Sequence, residues 1–68
     1  MREWLRNIRL ALGNSTYKQA REIGISQSYY AAIETGTRGK HISGDLAKKI
    51  ASTMGFPWQK FYDEDNVS

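Results

Sequence analysis

Few side chains in this chain could take part in making or breaking bonds. Its 68 residues include no cysteine and a single histidine, His41. A thiol nucleophile, a zinc knuckle and a disulfide framework are therefore excluded. The carboxylates Glu3, Glu22, Glu34 and Asp45 stand among bases or on helix surfaces, without the paired spacing that general acid–base catalysis needs. Gly36-Thr37-Arg38-Gly39-Lys40 lacks the spacing, and the preceding strand, of a phosphate-binding loop. The protein is thus expected to be no enzyme and to need no cofactor, metal or small-molecule substrate.

What remains is the chemistry of charge and hydrogen bonding. Ten Lys/Arg oppose seven Asp/Glu, a net charge of +3. Three of those seven acids, Asp63, Glu64 and Asp65, fall in the last six residues. Without them ten bases face four acids, so the body carries about +6 and suits a polyanion. Many solvated surfaces are basic as well, so charge alone does not choose between them. A hydrophobic fraction of 40% is that of a globular chain, and a mean hydropathy of −0.63 leaves no run for a membrane span. Met1-Arg2-Glu3-Trp4 enters helical periodicity with no signal-peptide core, which together with the missing cysteines suggests a cytoplasmic protein.

The elements that must position these groups are helical. A first helix over about residues 2–12 places Trp4, Leu5, Ile8, Ala11 and Leu12 on one face, with Arg2, Arg6 and Arg9 off it. Gly13-Asn14 ends it. Ser15 or Thr16 caps a second helix, Thr16 to Ile23, closed by Gly24, and Ser26 caps a third, Gln27 to about Thr35, closed by Gly36. Thr37 to His41 reads as an exposed basic loop. Ser43 caps a fourth helix striped with Leu46, Ala47, Ile50, Ala51 and Met54. Pro57 opens a short fifth helix ending near Tyr62, in its first turn, where proline is tolerated. One all-α domain over residues 1–62, followed by an acidic tail at 63–68 expected to fray, accounts for the chain.

The most informative unit runs from Thr16 to Gly36. Two short helices joined by a tight turn cross steeply, which requires a small residue at their closest approach. Ala20 lies four residues before Gly24, a glycine able to take a positive φ. Ile25 and Ile33 then plug the angle from the core side. This combination resembles the phage repressor and Cro-like family of helix-turn-helix DNA-binding proteins. The likeness rests on Ala20-Arg21-Glu22-Ile23-Gly24-Ile25-Ser26-Gln27-Ser28-Tyr29 and on Ile33-Glu34-Thr35-Gly36. Leu5-Arg6-Asn7-Ile8-Arg9, Leu46 to Gly55, and Phe56-Pro57-Trp58 with Phe61-Tyr62 extend it over about residues 4–62.

The resemblance implies a compact five-helix domain that binds double-stranded DNA as a small phage or bacterial regulator. Its third helix would enter the major groove N-terminus first, so Gln27 and Ser28 would meet base edges. A glutamine amide can pair bidentately with adenine, and a hydroxyl can serve several bases. An exposed capping turn is the plain alternative for both. Ala31 and Ala32 would touch a thymine methyl or simply let the helix sit close. Phosphate contacts would come from Thr16, Tyr17, Lys18, Arg21 and Tyr29, and from Thr37, Arg38, Lys40 and His41 after the third helix. Arg9 and Glu34 resemble the family's internal ion pair, here expected as a surface contact that orients more than it stabilises. Tyr30 is expected in the core or over the second helix.

Trp58, Gln59, Phe61 and Tyr62 offer a surface for a twofold homodimer, at least on DNA, with a monomer as the alternative. The chain also departs from the family. Thr16 stands where glutamine is usual, so the contact which that glutamine makes to the third helix does not carry over. Asn14 and Gln19 replace apolar residues, which would loosen the second helix. Thr16, with Ala31 and Ala32, thins out the polar contact set and keeps a second function open, against which the basic loop and Gln27-Ser28 argue: a protein-interaction module, such as an antirepressor or antitoxin component, that uses the fold without reading DNA.

Overall fold

A computed structural model describes residues 2–36 and 42–63. Among them are five helices and no strand: α1 (Glu3–Ala11), α2 (Thr16–Ile23), α3 (Gln27–Thr35), α4 (Gly44–Met54) and α5 (Lys60–Asp63). The expected loop at 37–41 and the tail at 64–68 lie outside the described residues.

Local chemistry sets most helix ends. Ser15, Ser26 and Ser43 take extended backbone, and their hydroxyls accept from the amides of Lys18, Tyr29 and Leu46 at 3.1, 3.1 and 3.2 Å. Each such cap contributes about 1 kcal/mol by satisfying an amide with no partner inside the helix. At the other end of α2, Gly24 adopts φ 92° and ψ 29°, and both Gly24 and Ile25 donate their amides to the Ala20 carbonyl. That left-handed residue turns the chain into α3 without the backbone strain that an L side chain would bring at this φ. α1 has no side-chain cap; the Arg2 amide just before it donates to the Glu34 carbonyl at 2.8 Å, tying α1 to the end of α3.

The core forms where these helices meet. Leu5, Ala20, Ile23, Tyr30, Ile33, Ala47 and Ile50 are essentially inaccessible to solvent. α2 packs most extensively on α3 and also meets α4, while α1 lies against α3. Tyr30 is wholly buried, in agreement with its expected core position.

Two expectations are corrected. The face that α1 buries is rotated from the one expected: Leu5, Arg2 and Arg9 are buried and Trp4 and Ile8 half-buried, while Ala11 is exposed and Leu12 is 49% exposed. Residues 2, 5 and 9 are spaced i+3 and i+4, so they share one face. The two arginines occupy it because α3 supplies partners for them. The α5 helix begins at Lys60 rather than Pro57. Pro57 instead opens a tightly wound lead-in whose amides at Lys60, Phe61 and Tyr62 bond three residues back, as in a 3₁₀ turn. Asp63 is the last residue of α5.

Candidate nucleic-acid interface

The turn at Gly24 brings the start of α3 beside the start of α2. Gln27 and Ser28, in the first turn of α3, are both exposed. The Gln27 side chain is already oriented, because its Nε2 donates to Thr16 Oγ1 at 3.1 Å. One amide N–H and the Oε1 acceptor are left over, the pair that adenine needs for bidentate contact. Thr16 is the first residue of α2, so the same hydroxyl stands where backbone amides point outward and suit a phosphate. From the position where glutamine is usual, the Thr16 hydroxyl thus reaches the third helix.

Around this centre Tyr17 is 62% exposed, Lys18 and Arg21 are exposed, and Tyr29 is 36% exposed. These four lie on α2 and α3, the two elements that also carry Thr16, Gln27 and Ser28. Ala31 and Ala32 are half-buried, so part of each side chain is given to packing. Thr37, Arg38, Lys40 and His41 fall outside the described residues.

A buried ionic cluster fixes α3 from the opposite end. Arg9 Nε and Nη2 donate to the two Glu34 carboxylate oxygens at 2.9 Å each, and Nη1 donates to the Asn14 carbonyl at 2.8 Å. The side chains of Arg9 and Glu34 are only 10% and 5% exposed. The pair expected on the surface is therefore an internal strut. Burial pushes the Glu34 carboxyl upward, but hydrogen bonds from Arg9 and Tyr30 outweigh it and hold the group below its ordinary 4.5. Arg9 is held above its ordinary value, chiefly by its bond to Glu34. Burial, then the neighbouring Glu34 carboxylate, keeps the Tyr30 phenol well above its usual range. Arg2 Nη1 adds a bond to the Ile33 carbonyl, so two arginines of the α1 segment clamp the end of α3.

Of the expected dimer residues, Phe61 is corrected. It is 3% exposed, with its ring 5.2 Å from Trp4 and 5.6 Å from Phe56. Trp4 and Phe56 absorb the aromatic area that looked surplus. Trp58 and Tyr62 are half-buried against each other at 5.6 Å and edge-on, the Lys48 ammonium lies 5.0 Å from the Trp58 ring centre, and Gln59 is exposed. The sequence reading of Asn14 and Gln19 as residues that loosen the second helix is corrected. Both are buried, and Asn14 Nδ2 donates to Gln19 Oε1 at 2.9 Å. Their shared departure from an apolar pattern was the available signal.

Two crossed helices with an oriented glutamine at the tip of the second, exposed bases on the first and a buried strut behind define a DNA-binding helix-turn-helix domain. A family model described as helix-turn-helix matches residues 5–61, and the chain belongs to that family, in its repressor and Cro-like form. Membership makes it a DNA-binding transcriptional regulator in the general sense. No curated protein and no solved structure matches the chain. Among the described residues no helix is long and apolar enough to cross a membrane, and no cluster of His, Cys, Asp or Glu could hold a metal.

Proposed function

We propose that this protein is a small sequence-specific repressor, working in the cytoplasm by occupying an operator with α3 in the major groove. The observation that carries this reading is the Thr16–Gln27 hydrogen bond, which presents the Gln27 amide pre-oriented at the exposed start of α3. A glutamine held in one rotamer loses less entropy on meeting adenine than one that swings freely. Gln27 and Ser28 read bases in this scheme. Thr16, Tyr17, Lys18, Arg21 and Tyr29, with Arg38, Lys40 and their neighbours in the 37–41 segment, hold phosphates. Ala31 and Ala32 contribute closeness of fit and apolar contact.

One α3 helix covers too little sequence to select a site among about 10⁶ competing positions. A twofold dimer solves this by doubling the site, with half-sites about 34 Å apart. Trp58, Gln59 and Tyr62 supply the surface, with Phe61 supporting it from the core. Selection of bound duplexes from a random pool tests the reading. Enrichment of one twofold-related site supports it. A pool that stays random while the protein still binds steeply with falling salt would leave only a non-specific binder. Absence of any salt-dependent binding would favour the protein-interaction module.

A further inference from the structure

The connection between α1 and α2 is fastened by polar groups. Asn14 is held at three points: its amide N–H donates to the Arg9 carbonyl at 3.2 Å, its carbonyl accepts from Arg9 Nη1 at 2.8 Å, and its Nδ2 donates to Gln19 Oε1 at 2.9 Å. Gln19 is wholly buried, and its Nε2 is a buried side-chain donor with no hydrogen-bond partner among the described residues. A buried donor without an acceptor is unfavourable, and an aliphatic side chain of similar size would avoid that cost. Gain in stability therefore does not explain an amide here. Direction does: an amide–amide bond fixes distance and orientation, whereas two aliphatic side chains can slide past each other.

We propose that Asn14 and Gln19 form an amide clasp that positions the start of α2, and through Thr16 the Gln27 side chain. Asn14 precedes Thr16 by two residues, with the capping Ser15 between them, and Gln19 lies one turn further along α2. The backbone carbonyl of Asn14, beside the clasp, accepts from Arg9 Nη1 and so joins the same residue to the Arg9–Glu34 pair. Helix α3 is thus held at its C-terminal end by Glu34 and at its N-terminal end by Gln27, and both grips lead back to Asn14. The two departures that each looked like loosened packing are halves of one contact. Asn14 and Gln19 are positioning residues in this scheme, since both are buried and act through Thr16. The inference rests on the reading of Gln27 as a base-contacting residue.

The test replaces the clasp by an apolar pair, Asn14→Leu with Gln19→Leu, which leaves no side-chain amide unpaired at either position. The first readout needs no DNA: the side-chain amide resonances of Gln27 in a ¹⁵N-labelled sample, with Thr16→Val marking where they lie once the Thr16 hydroxyl is gone. The clasp predicts a folded double variant whose Gln27 signals move toward the Thr16→Val position. It also predicts that preference for the enriched site over a scrambled duplex falls by about tenfold, the loss of roughly one oriented hydrogen bond, with scrambled binding unchanged. Gln27 signals that stay at their wild-type positions would overturn the proposal. So would a double variant unable to fold, because the pair would then be a source of stability. If the signals move while Gln27→Ala itself leaves site preference intact, the clasp stands and the base-reading role of Gln27 falls.

Discussion

Replacing Glu34 by glutamine keeps the shape of the side chain and removes the charge that Arg9 faces. Arg9 spends two of its three bonds on that carboxylate, at 2.9 Å each, in a site where the two side chains are 10% and 5% exposed. Removing one partner of a buried pair leaves the other charge uncompensated and costs about 3–5 kcal/mol. A glutamine oxygen can still accept one bond and Arg9 retains its bond to the Asn14 carbonyl, so the lower end, about 3 kcal/mol, is expected. A domain of this length has roughly 3–10 kcal/mol of stability in total, at about 0.05–0.15 kcal/mol per residue. At about 4–8 °C per kcal/mol, Glu34→Gln should lower the melting midpoint by about 12–24 °C at neutral pH.

The same site sets a pH dependence. The folded Glu34 carboxyl lies below 4.5, its ordinary value. Its stabilising contribution is therefore complete above 4.5 and is lost as the pH falls through the lower, folded value. Thermal melts followed by far-ultraviolet circular dichroism, stepped from neutral pH down to about pH 3, should show the two midpoints converging in acid. A midpoint difference under about 4 °C at neutral pH, or two curves that stay parallel into acid, would refute the internal strut.

Three further outcomes are expected. Gly24→Val forces a β-branched residue to φ 92°, and although a Cβ there would meet only the flexible Lys49 Nζ at 3.5 Å, the strained backbone should cost about 1–2 kcal/mol, read as a lower denaturation midpoint. Arg38→Ala with Lys40→Ala should weaken binding to every duplex about equally and flatten the log–log salt slope by roughly one to two units, measured by anisotropy titration. Gln59→Glu, on the exposed side of the α5 lead-in, should leave the unfolding free energy within about 0.5 kcal/mol of wild type yet weaken cooperative binding to a two-half-site duplex. Sedimentation showing a monomer on a single, unrepeated site would remove the dimer.

Local chemistry made much of this structure legible. The serine caps at Ser15, Ser26 and Ser43, the turn at Gly24 and the small Ala20 beneath it depend on neighbours a few residues away, and so the helix-turn-helix could be read from spacing. Arg2 and Arg9 could not be placed so easily. An arginine usually signals solvent, and the partners that favour burial lie far along the chain, Glu34 for Arg9 at 25 residues and the Ile33 carbonyl for Arg2 at 31. Asn14 and Gln19, taken singly, look like defects; their mutual bond appears once the chain turns at Gly13. Phe61 looked like surplus aromatic area because Trp4, on the far side of the sequence, is what covers it. The Thr16 hydroxyl was discounted for its difference from glutamine, although what matters is its reach to Gln27.

The central claim is that α3 reads bases through Gln27, and one comparison tests it most directly. Wild type and Gln27→Ala are titrated, at one fixed salt concentration, onto the enriched duplex and onto a scrambled duplex of the same length. Base reading predicts a loss of about 1–3 kcal/mol per half-site on the enriched duplex, with relaxed preference at the contacted position and scrambled binding nearly unchanged. Equal affinities of the two proteins for the enriched duplex, or an equal loss on both duplexes, would contradict it.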